Sequence, residues 1–498
     1  MDFSHSILFG FHVALQPINL FYCLCGVTIG TLVGVLPGLG PVATISLLLP
    51  IAFHANPVSF TILLAGIYYG AMYGGSTTSI LVNIPGEAAS VITCLDGYQM
   101  ARQGKAGPAL GISAFGSFIG GTAGVIGLML LAPPLAKMAL KFGPPEYVSL
   151  ILLSLVILSY ITRGSMAKAL MMTAIGLILG CIGMDIMATV PRFTYGILVL
   201  QDGIGLVPVV MGLFGISEVL LNIEEGLTSQ EVFKTAIKRL LPNLREWKDS
   251  IGSILRGSVL GFFLGILPGG GAVVASFLSY ALEKKVSKTP EKFGTGMIEG
   301  VAGPETANNA AASGAFIPML TLGIPSNPVT AILLGALIMQ GVQPGPLLLK
   351  QAPDIFWGVI SSMYIGNVML LILNLPLIGI WVKVLKVPYF ILFPLIFLFC
   401  LIGVYSINSS VGDVVIMNIF GIVGYFMKKY DYEGAPLIVA LVLGPMFETA
   451  LRQSLSLSNG DFTIFFSRVI SLGLMTATGL LLVLAAFGRK RLPREVIS

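Results

Sequence analysis

The sequence predicts an all-α polytopic membrane protein. About 10–14 hydrophobic segments are expected in two inverted-topology repeats, with helices that are Pro/Gly-broken or re-entrant. Three observations predict this. Of 498 residues, 55% are hydrophobic and only 10% charged, against roughly 25% charged in soluble proteins, and the mean hydropathy is +0.93. Long stretches carry no Asp, Glu, Lys or Arg at all: Asp2 to Glu87, Glu305 to Lys350, Lys386 to Asp413 and Arg468 to Arg489. A span takes about 20 apolar residues, so the longest of these hold more than one. Finally, GTLVGVLPGLGPV (Gly30–Val42) returns as GFFLGILPGGGAV (Gly261–Val273), with Pro37 and Pro268 lying 231 positions apart.

Taken in order, hydrophobic segments fall at 18–52 (interrupted), 58–84, 108–133, 146–162, 168–190 and 204–222. After a polar stretch come 251–282 (interrupted), 307–341 (interrupted), 354–382, 388–410, 413–427, 434–450 and 464–488. The N-terminus lacks a basic region, and its apolar stretch runs far past the length of a cleavable signal, so the first segments are expected to direct insertion. The domain organisation follows: 1–223 as a first membrane repeat, 224–250 as an amphipathic cytoplasmic linker, 251–488 as a second membrane repeat, and 489–498 as a basic cytoplasmic tail. In the linker, Thr228-x-x-Glu231 resembles a capping box. Val232, Phe233, Ile237, Leu240 and Leu241 beside Lys234, Lys238 and Arg239 suit a helix lying on the membrane surface.

The halves match beyond the first phrase. Asn83-Ile84-Pro85-Gly86 pairs with Gly323-Ile324-Pro325-Ser326, and Gln103-Gly104 with Gly107-Pro108 pairs with Gln340-Gly341 with Gly345-Pro346. Lys234 to Lys248 precede the second Leu-Pro-Gly phrase and Lys284, Lys285, Lys288 and Lys292 follow it, whereas the first phrase has no basic flank. At the next landmark the pattern reverses, with Arg102 and Lys105 in the first half and no charge before Lys350 in the second. Positive residues gather in cytoplasmic loops, so corresponding loops are expected on opposite sides of the membrane. Each phrase could be a re-entrant hairpin or a single broken span.

Pro and Gly free backbone groups inside a helical segment, and such backbone is tolerated at membrane depth only within protein or beside a wet cavity. Pro37, Pro85, Pro268 and Pro325 are therefore the expected helix breaks. Helices restarting at Pro41 or Ala272 would aim N–H groups at the breaks, a setting for a carboxylate; the alternative is that the glycines only allow close helix packing. The substrate-binding candidates are Gly38, Leu39, Gly40, Ser76, Thr77, Thr78, Gly269, Gly270, Gly271, Asn308, Asn309, Ser326 and Asn327. Asn83, Glu305, Thr306 and Ser313 are the ion-coupling candidates, because hydroxyl, amide and carboxylate oxygens can coordinate Na⁺ or carry a proton. Glu299, Glu218, Asp413 and Glu448 are weaker candidates, and Asp185 and Arg192 look like boundary charges.

Other chemistry lacks its residues. No P-loop, H-E-x-x-H or G-x-S-x-G pattern occurs, so no enzyme activity and no metal or other cofactor is expected beyond a coupling cation, Na⁺ or H⁺. The net charge of +5 belongs to membrane-flanking loops and implies no nucleic acid. Cys23, Cys25, Cys94, Cys181 and Cys400 show neither metal spacing nor a disulfide framework, and His5, His12 and His54 form no cluster.

At these residues the chain resembles the large membrane subunit of the tripartite tricarboxylate transporter family (TctA-type). The resemblance rests on Gly34 to Gly40, Tyr73-Gly74-Gly75-Ser76-Thr77-Thr78, Asn83 to Gly86, Gly265 to Gly271, Glu299 to Asn309 and Thr321 to Pro325, and it covers essentially the whole chain. It implies a secondary active importer of organic anions, di- or tricarboxylates, in the bacterial inner membrane, driven by a Na⁺ or H⁺ gradient. It implies a small four-span membrane subunit and a periplasmic solute-binding protein as partners, membrane lipid around the chain, and an elevator-like motion. A passive anion channel is the alternative.

Overall fold

A computed structural model describes residues 3–36, 40–52, 55–161, 165–185, 187–225, 239–269, 271–384 and 389–487. Pro37, Gly38, Leu39 and Gly270, the proposed capping box at Thr228, most of the predicted surface helix and the basic tail lie outside these residues.

The first half comprises α1 (Phe3–Ala14), α2 (Pro17–Val35), α3 (Pro41–Ala52), α4 (Pro57–Val82), α5 (Thr93–Arg102), α6 (Ala106–Ala139), α7 (Pro144–Ile161), α8 (Met166–Gly180), α9 (Leu206–Val210) and α10 (Ser217–Glu225). The second comprises α11 (Leu244–Ile266), α12 (Gly271–Val286), α13 (Glu299–Gly314), α14 (Phe316–Leu322), α15 (Pro328–Met339), α16 (Leu348–Gln351), α17 (Pro353–Asn374), α18 (Ile378–Val384), α19 (Tyr389–Asn408), α20 (Val411–Lys429), α21 (Ala435–Leu457), α22 (Ile464–Ser467) and α23 (Val469–Phe487). Among the described residues, nine helices are long and apolar enough to cross a membrane, counting Leu206–Glu224 as one, and five shorter apolar helices accompany them. The all-α polytopic expectation therefore holds.

Two local features depart from the sequence expectation. The segment expected at 168–190 ends as a helix at Gly180, and β1 (Gly183–Met184) pairs antiparallel with β2 (Pro191–Arg192). Asp185 Oδ1 accepts from the Met187 and Ala188 N–H groups and turns the chain there. Helix α11 starts at Leu244, set by a reciprocal cap in which Asn243 Oδ1 accepts from Glu246 N at 2.8 Å and Glu246 Oε2 accepts from Asn243 N at 2.6 Å.

Glycine spacing dictates how each half packs. On α2, a Cβ added to Gly26, Gly30 or Gly34 would stand 2.5, 2.5 or 2.4 Å from the carbonyl oxygens of Leu63, Ile67 and Ala71 on α4. Each step of four on α2 matches a step of four on α4, so the two helices run parallel in backbone contact. The second half repeats the device. Cβ atoms on Gly257, Gly261 and Gly265 of α11 would meet the carbonyls of Gly303, Ala307 and Ala311 of α13 at 2.6, 2.1 and 2.2 Å.

Parallel neighbours in sequence require the chain to come back between them. After α3 it is again beside the start of α2, where Ser59 Oγ donates to Asn19 Oδ1 at 2.5 Å. After α12 it is again beside the first half of α11, where Ser253 Oγ and Arg256 Nε donate to the Glu283 carboxylate at 2.7 and 2.9 Å. The helices flanking the Leu-Pro-Gly phrases, α2 with α3 and α11 with α12, therefore form helical hairpins, which decides against a single broken span.

The halves meet along α4 and α13, which run antiparallel. Tyr68 lies 6.2 Å, ring to ring, from Phe316 just beyond α13. Farther up α4, Ser76 bonds Glu305, and Ile80 with Val301 flanks Gly97. Helix α6 presses Gly116, Gly120 and Gly124 on another side of α13. Gly300 to Gly314 of α13 are all buried, although the helix carries Glu305, Thr306, Asn308, Asn309 and Ser313.

Candidate functional site

Each hairpin bend is clasped by a Pro loop that follows a left-handed helix end. In the first half, α4 ends on Asn83 at φ 61°, and Thr78 Oγ1 donates to Val35 O at 2.7 Å. A Cβ on Gly86 would be 1.8 Å from Gly34 O, so only glycine brings the Pro85 loop this close. In the second half, α14 ends on Gly323 at φ 68°, and Gly269 N donates to Ser326 O at 2.7 Å. Asn and Gly are the residues that tolerate this conformation. Asn327 then caps α15 through Thr330 N at 3.0 Å and donates from Nδ2 to Tyr68 OH at 3.1 Å. Helix α12 restarts at Gly271, one residue before the expected Ala272, and α3 restarts at Pro41 as expected.

The structure thus gathers Gly269, Gly271, Ser326 and Asn327 at one bend and Thr78 and Gly86 at the other. Ten residues of α4 separate Tyr68 from Thr78, about 15 Å of helix. Ser76 and Glu305 lie in that interval. Glu305 is fully buried and accepts from Ser76 Oγ, Thr93 Oγ1 and Asn308 Nδ2, the last at 3.3 Å. Three donors on three segments satisfy a carboxylate that would otherwise be costly to bury.

The remaining candidates divide by what they touch. Asn309 donates to Glu305 O at 3.1 Å and to Asn308 Oδ1 at 2.6 Å, leaving its own Oδ1 buried without a partner. Thr77 lines a small void beside Ser76. Thr306 Oγ1 bonds Ala302 O one turn back at 2.7 Å, in the face packed on Gly116. Ser313 ties α13 to α6 through Gly121 O at 3.2 Å. Asn83 is an exposed helix end, and Gly40 faces open space. Among the minor candidates, Glu218 pairs with Lys428 and Asp413 with Asn408.

Sequence reasoning missed several polar residues. Asp96 is fully buried; its Oδ1 accepts from the N–H groups of Gly294, Gly296 and Met297 at 2.8–2.9 Å, and Oδ2 from Tyr280 OH at 2.9 Å. A lone Asp in a polar ten-residue helix carries no periodic signal. Glu283, which accepts from Ser253 and Arg256, stands next to Lys284 and Lys285 with no pattern of its own. Asn367 and Asn374 sit singly in α17, where an Asn within an apolar span was the available clue.

A cavity of about 490 Å³ lies apart from the hairpins, between α8, the 181–205 loop, α15 and α21. Its charges neutralise one another. Arg192 forks onto Glu448 at 2.6 and 3.0 Å, and Arg452 Nη1 reaches Asp185 at 2.8 and 3.1 Å. The backbone N–H groups of Ala188 and Met187, then Arg452 and Arg192, hold the Asp185 carboxyl down at about 2. Among the described residues no group of three His, Cys, Asp or Glu gathers as a metal site, and the five cysteines are free thiols.

Residues 20–439 match the family model described as the Tripartite tricarboxylate transporter TctA family. The chain belongs to that family. It is 50% identical over 486 residues to the uncharacterized 52.8 kDa protein of the TAR-I ttuC' 3' region of Agrobacterium vitis, covering 98% of this chain and 96% of the relative. It is also 53% identical over 226 residues to the uncharacterized protein of the TAR-II ttuC' 3' region of the same organism, covering 45% of this chain and 93% of the relative. No solved structure matches. This TctA-family chain is accordingly a multi-pass membrane transporter subunit of a tripartite system. Both Leu-Pro-Gly phrases and Glu305 fall within the matched span, whereas Glu448 and Arg452 lie beyond it.

Proposed function

We propose that this chain is the carrier subunit of a secondary active importer for organic anions, di- or tricarboxylates, in a bacterial inner membrane. A periplasmic solute-binding protein would feed it, a small four-span subunit would accompany it, and Na⁺ or H⁺ would drive it. One observation carries the reading: two helical hairpins of the same construction converge on an antiparallel helix pair that buries a fully bonded carboxylate, Glu305. Broken helices at a repeat interface are where ion-coupled carriers hold substrate and cation.

Inverted topology is supported by the antiparallel α4–α13 crossing and by charge. Gln103 Nε2 donates to Thr295 O at 2.7 Å, so the loop carrying Arg102 and Lys105 lies beside the one following Lys284 to Lys292. These basic loops come from non-corresponding positions of the two halves, as inversion requires, and mark the cytoplasmic side. An elevator-like motion would carry the paired hairpins together, since each is clasped to its own Pro loop.

Proteoliposomes holding the chain with its two partners test this. Carboxylate should accumulate inside against its gradient when Na⁺ or H⁺ is supplied outside. Equal flux with both gradients collapsed would replace the carrier with a passive channel.

A further inference from the structure

Resting on the carrier reading, and naming the atoms that would take its cation, we infer that one void between α4, α6 and α17 is a site for a single dehydrated monovalent cation of the size of Na⁺. The void measures about 10 Å³, and its polar lining is Tyr73, Ser76, Thr77, Ser113 and Asn374. That is the least space that holds one water-sized guest.

Hydrogen placement distinguishes a cation from a water. Tyr73 donates its hydroxyl hydrogen to Asn367 Oδ1, and Asn367 is fixed by its own donation to Phe118 O at 2.8 Å and Thr122 Oγ1 at 2.9 Å. Ser76 donates to Glu305. Asn374 spends its amide nitrogen on Leu370 O at 3.0 Å, which fixes the amide orientation and leaves Oδ1 buried and unpartnered. Asn374 is only 4% exposed. Three walls therefore offer lone pairs: Tyr73 and Ser76 direct their hydrogens elsewhere, and Asn374 Oδ1 has no partner. A water can donate to two of the three and leaves the third unmet. A cation accepts all three, and the Thr77 and Ser113 hydroxyls can rotate to add two more oxygens.

The donor set also chooses the ion. All five groups are neutral oxygens, and the one carboxylate, Glu305, stands behind Ser76, so the site lacks the direct carboxylates that hold Ca²⁺. The void takes one guest, and walls closing on it favour Na⁺, whose bonds to oxygen are shorter than those of K⁺. Occupancy would bear on the interface between the halves, because Ser76 touches both the void and Glu305.

Thermal unfolding of the purified full-length chain, without carboxylate, tests the site. NaCl and LiCl should raise the midpoint above that in KCl at equal ionic strength, as a ligand of the folded state does. Thr77→Val and Asn374→Leu should each raise the Na⁺ concentration for half-maximal shift at least about tenfold, the loss of one buried bond, and Thr77→Ser should retain the shift. Identical midpoints in Na⁺ and K⁺, or an unaltered Na⁺ shift in Thr77→Val, overturn the site; Thr77→Val decides if Asn374→Leu does not fold. Uptake separates the two readings. Normal Na⁺-dependent uptake by Thr77→Val removes the site and leaves the carrier. Gradient-independent uptake by the unaltered chain removes the carrier, while a Na⁺-specific midpoint shift would still stand.

Discussion

Ser76 on α4 and Glu305 on α13, 229 residues apart in sequence, share a hydrogen bond at the crossing of the two halves. Thr93 and Asn308 complete the carboxylate's partners. Glu305→Gln preserves volume but turns an NH₂ toward hydroxyls already donating. It should lower uptake at least about tenfold, the effect of one mismatched buried bond, while the purified chain keeps its helix content and elutes as a single species. Glu305→Ala leaves three donors unpaired and should also lower the unfolding midpoint. Wild-type uptake in Glu305→Gln would remove this carboxylate from the transport cycle.

Close glycine packing makes a second, structural prediction. Gly261→Leu puts a side chain where even a Cβ would lie 2.1 Å from Ala307 O, whereas Gly479→Ala on α23 meets nothing within 4 Å. The first should cost at least about 1–3 kcal/mol by overpacking and reduce the yield of folded protein. The second should be silent. Matched thermal midpoints for the two variants would show that α11 and α13 can separate without cost.

Much of this architecture was legible from residue order. The Leu-Pro-Gly phrases, the Pro85 and Pro325 loops and their spacing marked where the helices break, because Pro and Gly act on the backbone wherever they stand. Glu305 was legible because a carboxylate beside a long apolar run has few bland explanations. The hairpin itself was not: glycines every fourth residue at 26, 30 and 34 and at 66, 70 and 74 announce packing faces but not their partner. Residue type alone does not say what a hydroxyl bonds: Thr306 bonds its own helix, whereas Ser313 also reaches Gly121 O on α6. Asp96 was invisible because its partners are backbone N–H groups nearly 200 residues downstream, which no side-chain pattern encodes.

Asp96 gathers three backbone N–H groups of the 294–297 loop and the Tyr280 hydroxyl. Asp96→Ala leaves all four unpaired and should cost on the order of 3 kcal/mol or more. The loop should loosen first, since these bonds tie it to α5. Trypsin should then cut after Lys288 or Lys292 in the variant at enzyme concentrations that leave the parent chain whole. An uncut loop would mean that other contacts suffice to hold it.

Acid should release the 181–205 loop from α21 in a defined window. Two backbone N–H groups, with Arg452 and Arg192 behind them, hold Asp185 at about 2, below the ordinary carboxylate value. A carboxyl lowered in the folded state adds stability that is complete above its unfolded value, about 4, and is lost as pH falls through the folded value. Pepsin, active across that window, should therefore spare the loop near pH 4 and cut it as the pH approaches 2. In Asp185→Asn the anchoring charge is gone at every pH, so cleavage should already occur near pH 4 and change little below it. A parent chain cut equally at both ends of the window would show that Asp185 does not hold the loop.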